Sequence, residues 1–126
     1  MSRELHAPFE TSAETVPSSV ARLRRFAVQA CRTGAPGVDG DVVALLVSEL
    51  VTNALLHGSG EVRLRVLPVD GGVRVEVHDA SRTLPSLRHP RPDEEGGRGI
   101  ALVDTLATTW GADACDDGKT VWFVLH

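Results

Sequence analysis

Three polar side chains recur at intervals of four residues along a stretch that is otherwise largely apolar: Glu49, Asn53 and His57. At about 100° per residue they span an arc of roughly 80°, so a helix would carry them in one line. A carboxylate such as Glu49 can accept a proton or orient a water, and the amide oxygen of Asn53 is a ligand that Mg²⁺ accepts. From this stretch alone, a solvent-facing Glu and Asn remain an equal alternative to a functional pair. We interpret His57 as a structural residue at the helix end rather than a ligand.

The stretch that carries these residues, 41–58, has the pattern of a helix with one apolar side. Asp41 stands at its start, where a carboxylate can accept from unpaired backbone N–H groups, and Gly58 stands at its end, where the left-handed cap conformation suits glycine. A helix is therefore predicted over the whole stretch. The apolar positions at helical spacing, which are predicted to face the core, are Val43, Leu46, Val47, Leu50, Val51 and Ala54.

The chain has 126 residues, of which 42% are hydrophobic and 24% charged, with a net charge of -4. This composition is typical of one globular domain, here residues 1–126, and the negative balance argues against direct nucleic-acid binding. No run reaches the length of a membrane span and the first residues lack an apolar signal core, so a cytoplasmic protein without a membrane partner is expected. Cys31 and Cys115 lack metal-ligand spacing and the histidines form no two-His motif, which predicts reduced thiols and no zinc site.

Before this helix, the pattern predicts an edge strand at residues 3–9, because Pro8 suits an edge. The residues that follow form a predicted turn, after which Ser18 or Ser19 caps a helix that runs to about Cys31. The buried stripe of this first helix is predicted to be Val20, Leu23, Ala27 and Ala30. Its exposed side carries four arginines: Arg22, Arg24, Arg25 and Arg32. They form either a solvated face or a surface for an acidic partner.

After the long helix, two alternating runs, 61–67 and 73–79, predict an antiparallel hairpin with one buried face. Residues 80–97 have no periodicity and several prolines, as in a functional or mobile loop. A helix is predicted at 98–107 and a second hairpin at 108–125. Antiparallel strands with helices on one face predict an α+β two-layer sandwich with a mostly antiparallel (mixed) sheet, and the chain order excludes a Rossmann fold.

Two further features lie at the ends of these elements. Asp79 ends a predicted strand and opens the loop, where a carboxylate can accept a hydrogen bond from an exocyclic amine. Gly97 and Gly99 precede a helix, where backbone N–H groups can approach an anion. A glycine run of this kind is a weak signal alone, and both the G-x-G-x-x-G and the P-loop motifs are absent.

Taken together, these segments resemble a known family. V-S-E-L-V-T-N-A-L-L-H-G, D-A-S-R-T-L-P, G-G-R-G-I-A-L-V and G-K-T-V-W-F resemble the N box, the two glycine boxes and the closing strand of the GHKL ATP-binding superfamily. The resemblance covers roughly Leu5 to Leu125 and is closest to the stand-alone anti-sigma-factor serine kinases and similar small actinobacterial ATP-binding regulators. It implies the Bergerat, or histidine-kinase-like ATPase, fold.

The resemblance implies a role for each matching residue in the binding and transfer of phosphate from ATP. Asn53 would hold the Mg²⁺ that bridges the ATP phosphates, Glu49 would be the general base, and Asp79 would recognise the adenine amino group. The second glycine box would supply Gly97 and Gly99 to cradle the phosphates. The remaining implied pocket residues are Arg98 beside the phosphates and Thr120 near the adenine.

The sequence also departs from the family pattern. Ser81 stands where histidine kinases carry a glycine, and we interpret Ser81 and Pro85 as shaping the floor and turn of the pocket. The chain length leaves no room for a dimerisation helix with a phospho-accepting histidine, so a complete sensor histidine kinase is not expected. The short, proline-rich lid at residues 80–96 makes an ATP-gated dimer clamp unexpected.

The function implied by the resemblance is transfer of the γ-phosphoryl group of Mg-ATP to a serine of an anti-sigma antagonist protein. The implied partners are a sigma factor and a STAS-type antagonist, and the implied assembly is a homodimer. The first alternative is a nucleotide-dependent module that sequesters a sigma factor or another regulator without kinase activity. The second is an α+β interaction domain that binds no nucleotide.

Overall fold

A five-stranded sheet covered by helices forms the framework of the protein. The computed structural model describes residues 8–57, 60–81 and 97–126 of the chain. The spatial order of the strands is β1-β2-β3-β5-β4, and each neighbouring pair is antiparallel. The fold is therefore the predicted α+β sandwich, with only antiparallel pairs in the described sheet. The elements are β1 (Phe9–Glu14), α1 (Ser18–Gly34), α2 (Gly40–His57), β2 (Glu61–Val69), β3 (Gly72–Asp79), α3 (Gly97–Leu106), β4 (Thr109–Cys115) and β5 (Gly118–Leu125).

The core lies between one face of the sheet and the helices. Residues alternate between the two faces of a strand, and the register aligns apolar side chains across the central strands. One such row is Val66, Val75 and Phe123, each of which is fully buried. Removing a side chain of this size from water contributes about 1.5–3 kcal/mol. In the described part of the chain, no helix is long and apolar enough to cross a membrane.

The central helix α2 buries all six apolar positions predicted for it, and none of them is more than 2% exposed. Its start differs from the prediction, because Asp39 and not Asp41 caps the first turn. The Asp39 carboxylate accepts hydrogen bonds from the backbone N–H groups of Asp41, at 2.9 Å, and Val42, at 3.3 Å. Its predicted glycine cap, Gly58, lies outside the described residues.

The first strand and the first helix correct two predictions. Strand β1 begins at Phe9 and continues through residues that were predicted to be a turn, because pairing with β2 supplies the order that its polar sequence lacks. Helix α1 has no side-chain cap; the Ser19 hydroxyl instead donates to the carbonyl oxygen of Glu14 at 2.7 Å and ties helix to strand. The helix continues past Cys31 to Gly34. Residues 3–7 of the predicted strand lie outside the described chain.

Both cysteines are free thiols, as predicted, and they differ in environment. Cys31 is 2% exposed in the core, where burial raises the pKa of its thiol to about 11. Cys115 is half-buried at the end of β4. The pKa of the Cys115 thiol is also raised, first by desolvation and then by a hydrogen bond to Asp117, so the two thiols should differ in rate mainly because the core denies a reagent access to Cys31.

We expect a thiol reagent at pH 8 to modify Cys115 readily and to leave Cys31 unmodified until the protein unfolds. At this pH only about one Cys31 thiol in a thousand would be ionised, and the core blocks access as well. Timed alkylation followed by mass spectrometry measures both rates. The variant Cys115→Ser should lose the fast reaction. Rapid modification of Cys31 in the folded protein would contradict the packing described above.

Candidate functional site

The predicted catalytic pair lies on α2, the helix that packs against both β3 and α3. Glu49 is half-buried, and Asn53, one turn further along, is only 7% exposed. Within residues 8–57, 60–81 and 97–126, the Asn53 amide has no hydrogen-bond partner. No buried side-chain nitrogen or oxygen in that part of the chain lacks a partner, so this amide reaches the surface. A nearly buried amide with an unused oxygen is a suitable ligand for a hard cation. The structure does not describe the side chain of His57.

A buried ion pair closes the end of the adjacent strand. Asp79, the last residue of β3, is 2% exposed and lies opposite Lys119 of β5, which is 0% exposed. The Lys119 ammonium lies 2.9 Å from Asp79 Oδ2 and 3.1 Å from Asp79 Oδ1. A buried carboxylate needs such a partner, since an unpaired charge in the core is very unfavourable. Lys119 therefore stabilises the charge of the residue predicted to recognise adenine.

The surrounding backbone fixes the orientation of this carboxylate. The N–H group of Ser81 donates to Asp79 Oδ1 at 2.7 Å, which is the turn-forming bond that an Asp makes with its own chain two residues on. Gly118 lies so close to the end of β3 that a Cβ atom there would collide with the carbonyl oxygen of Asp79, and its φ of +145° also favours glycine. The backbone of Ser81 thus orients the Asp79 carboxylate, and its place in the pocket floor stays a prediction.

Thr120 is not brought together with Asp79. Its hydroxyl lies 3.1 Å from Nδ1 of His78, on the face of the sheet opposite to the helices. Lys119 occupies the position beside Asp79 instead, and sequence reasoning missed it. The signal was present, because Val121 and Phe123 are buried and strand alternation then places Lys119 on the same face.

The predicted phosphate-binding segment forms the first turn of α3. The backbone of Gly97, Arg98 and Gly99 is helical, and N–H groups in a first turn have no partner within their helix. These groups and the helix dipole favour a negatively charged ligand. The side chain of Arg98 and all of Pro85 lie outside the described residues.

Comparison with known proteins identifies the family of this arrangement. The histidine kinase-like ATPase domain matches residues 13–125, nearly the whole chain. The chain belongs to this family. Family membership implies ATP binding, which agrees with a polar site built from α2, the end of β3 and the start of α3.

Similar proteins include members from Streptomyces coelicolor and Mycobacterium tuberculosis. The uncharacterized protein SCO4941 of Streptomyces coelicolor is 39% identical over 82 residues, which are 60% of this chain and 76% of that protein. A probable sensor histidine kinase HK of Mycobacterium tuberculosis is 31% identical over 125 residues, 82% of this chain and 33% of that protein. The sensor histidine kinase component HK1 of the same species is 34% identical over 89 residues, 61% of this chain and 53% of that protein. This chain thus spans only a third to a half of the two kinases.

Among solved structures, the fold is similar to the crystal structure of the RsbU and RsbW domains of Rv1364c from Mycobacterium tuberculosis. The TM-score is 0.65 and the sequence identity 19%, over 96% of this chain and 32% of that one. At this identity the likeness shows the shared fold. It agrees with the sheet order and the helices described above.

Proposed function

We propose that this protein is an ATP-dependent regulator of the anti-sigma-factor kinase type, which transfers the γ-phosphoryl group to a serine of an antagonist protein. The observation that carries the proposal is the position of Glu49 and Asn53 one turn apart on the helix that contacts both β3 and α3. This position supports the proposal that α2 supplies a base and a metal ligand beside Asp79, the residue proposed to recognise adenine, and beside the proposed phosphate-binding turn. The motif resemblance assigns the same roles.

The hydrogen bonds of Asp79 support its role towards adenine. A carboxylate has about four acceptor positions. Ser81 and Lys119 occupy two positions on Oδ1, and Lys119 occupies one on Oδ2. Counting only contacts among residues 8–57, 60–81 and 97–126, one acceptor position on Oδ2 remains for the exocyclic amine of adenine. Lys119 holds the carboxylate in one orientation before the nucleotide arrives.

In the proposed phosphoryl transfer, Glu49 acts as the general base. The carboxylate takes the proton from the attacking serine hydroxyl, the new bond forms between that oxygen and the γ-phosphorus, and ADP leaves with the electron pair of the broken bond. Positioning and charge neutralisation dominate such reactions. Asn53 would hold a Mg²⁺ ion, which neutralises phosphate charge when bound, and the first turn of α3 would orient the phosphates.

The surface of α1 supports an acidic protein partner. Arg22, Arg24, Arg25 and Arg32 are all exposed, although the whole chain has a net charge of -4. Three of these arginines border a groove of about 600 Å³ together with Phe26 and Gln29. A sigma factor or a STAS-type antagonist with an acidic face would fit this surface. A homodimer belongs to the same proposal, as the family resemblance implies.

We expect ATP to bind the purified protein in the presence of Mg²⁺, with weaker binding in EDTA and still weaker binding of GTP. The carboxylate of Asp79 recognises an amino group that guanine lacks at the corresponding position. The variant Asn53→Ala should lose most of the Mg²⁺ dependence, because it removes the metal ligand. Calorimetric titration measures all of these affinities.

The matched control is Thr52→Ala, the neighbouring half-buried position on the same helix. It should bind ATP as the parent protein does, with the same response to Mg²⁺. Equal binding of ATP and GTP would contradict the role of Asp79. Retention of the Mg²⁺ dependence in Asn53→Ala would contradict the role of Asn53.

A further inference from the structure

Three potential metal ligands meet on the outer face of the sheet, away from the helices. His78 comes from β3, Cys115 ends β4, and Asp117 lies in the turn between β4 and β5. One ligand atom from each residue lies within 4.8 Å of the other two. Cys115 and Asp117 are two residues apart, but His78 is 37 residues before Cys115, which explains why spacing rules predict no zinc site here.

The distances are near those of a metal centre. His78 Nε2 lies 3.6 Å from Asp117 Oδ2, whereas the 4.0 Å contact of Cys115 Sγ is with the other ring nitrogen, Nδ1. Tetrahedral zinc separates N, O and S ligands by roughly 3.3–3.7 Å. The Nε2–Oδ2 distance already falls within this range, and the Cys115 side chain would have to turn towards Nε2 to complete the site.

The imidazole is already oriented for such a task. The Thr120 hydroxyl lies 3.1 Å from His78 Nδ1, which leaves Nε2 facing Asp117. A histidine that binds a metal through one nitrogen is usually held by a hydrogen bond at the other. The side chain of His78 is only 15% exposed whereas that of Asp117 is 69% exposed, so the site opens to solvent on one side.

We propose that His78, Cys115 and Asp117 bind a divalent transition-metal ion of the zinc class, with water in the fourth position. One nitrogen, one sulfur and one oxygen ligand form a donor set that suits zinc. On binding, the Cys115 thiol releases its proton to solvent and the resulting thiolate forms the bond to the metal.

The neighbouring charges have opposing effects on this site. Asp116 adds negative charge in the same turn, whereas the Arg63 guanidinium lies 3.5 Å from Asp117 Oδ2. Arg63 therefore competes with a cation for that carboxylate. The site also lies directly behind the nucleotide pocket, because His78 and Thr120 are each one residue from the ion pair.

The test is a titration of the nucleotide-free, chelator-treated protein with Co²⁺ and then with Zn²⁺. We expect Co²⁺ to produce a near-ultraviolet thiolate charge-transfer band that saturates at one equivalent and disappears when Zn²⁺ displaces it. Cys115→Ser should abolish the band. His78→Gln and Asp117→Asn should each weaken Zn²⁺ binding at least tenfold, roughly as ligand loss does at other metal sites.

Each ligand variant has a matched control elsewhere in the chain: Cys31→Ser, His126→Gln and Asp116→Asn. The controls should keep the band and bind Zn²⁺ within about threefold of the parent protein. Circular dichroism confirms that every variant is folded. Calorimetry in two buffers of different ionisation enthalpy should show one proton released per Zn²⁺ bound.

Three results would overturn the proposal: no charge-transfer band with Co²⁺, a band that survives Cys115→Ser, or Zn²⁺ affinity unchanged in both His78→Gln and Asp117→Asn. The three side chains would then only stabilise the β4–β5 hairpin against β3 through their mutual contacts. None of these results depends on ATP binding or phosphoryl transfer, so they leave the proposed function untouched.

Discussion

Replacing Lys119 by methionine is expected to lower the free energy of unfolding by about 3–5 kcal/mol, because the Asp79 carboxylate would remain buried without its counter-ion. The two residues are 0% and 2% exposed, so solvent cannot replace the missing charge. Asp79→Asn should be destabilising for the complementary reason, since the ammonium would then be unpaired. Urea unfolding followed by circular dichroism measures both losses.

The double variant, Asp79→Asn with Lys119→Met, separates stability from recognition. It should recover most of the lost stability, because neither charge remains and the amide oxygen can still accept from the backbone of Ser81. It should nevertheless bind ATP at least tenfold more weakly, since the carboxylate that accepts from adenine is gone. Weak ATP binding in a well-folded double variant would establish that Asp79 acts on the nucleotide itself.

The control for this series is Arg65→Met, which also removes one cation from an ion pair. Arg65 lies 3.0 Å from Glu76 and 3.6 Å from Glu10, but it is at the protein surface. Surface pairs contribute about 0–1 kcal/mol. A loss in Lys119→Met no larger than that of Arg65→Met would contradict the buried pair. Unchanged ATP affinity in the double variant would contradict the role of Asp79.

The parts of the fold that follow from periodicity were predictable. The alternating runs became β2 and β3, the six apolar positions of α2 are buried, and α3 lies within one residue of its predicted range. Strand β1 was not predictable, because its sequence F-E-T-S-A-E has little apolar content and its order comes from pairing with β2. The predicted N-terminal caps of α1 and α2 were also wrong, because the Asp39 cap and the bond from Ser19 to Glu14 depend on the exact path of the chain.

The site illustrates the same limit at the level of side chains. The family resemblance implied roles for Asp79 and Thr120, which stay predictions, but it did not indicate Lys119, which the pairing of β3 with β5 puts beside Asp79. The pairing partner of a strand is a property of the sheet and not of the local sequence. The cluster of His78 and Cys115 was invisible for the same reason, because its members meet only when three strands are aligned.

Replacing Glu49 by glutamine is expected to reduce phosphoryl transfer by about 10²–10⁴-fold, because the amide cannot take the proton from the serine hydroxyl. The change preserves the size of a half-buried side chain on α2, so the fold should be maintained. ATP affinity should change little, since the residues assigned to adenine and metal remain. Transfer of label from ATP to a STAS-type antagonist measures the rate, and calorimetry measures the affinity.

Asp41→Asn is the matched control, since it neutralises an exposed carboxylate in the first turn of the same helix. It should transfer phosphate at the rate of the parent protein. If transfer in Glu49→Gln equals that of the control, Glu49 is not the base. If the parent protein binds ATP but transfers no phosphate to the antagonist, the pocket serves a nucleotide-dependent binding module. The partner would then bind a surface such as the arginine face of α1. Replacing these arginines by glutamates would release it.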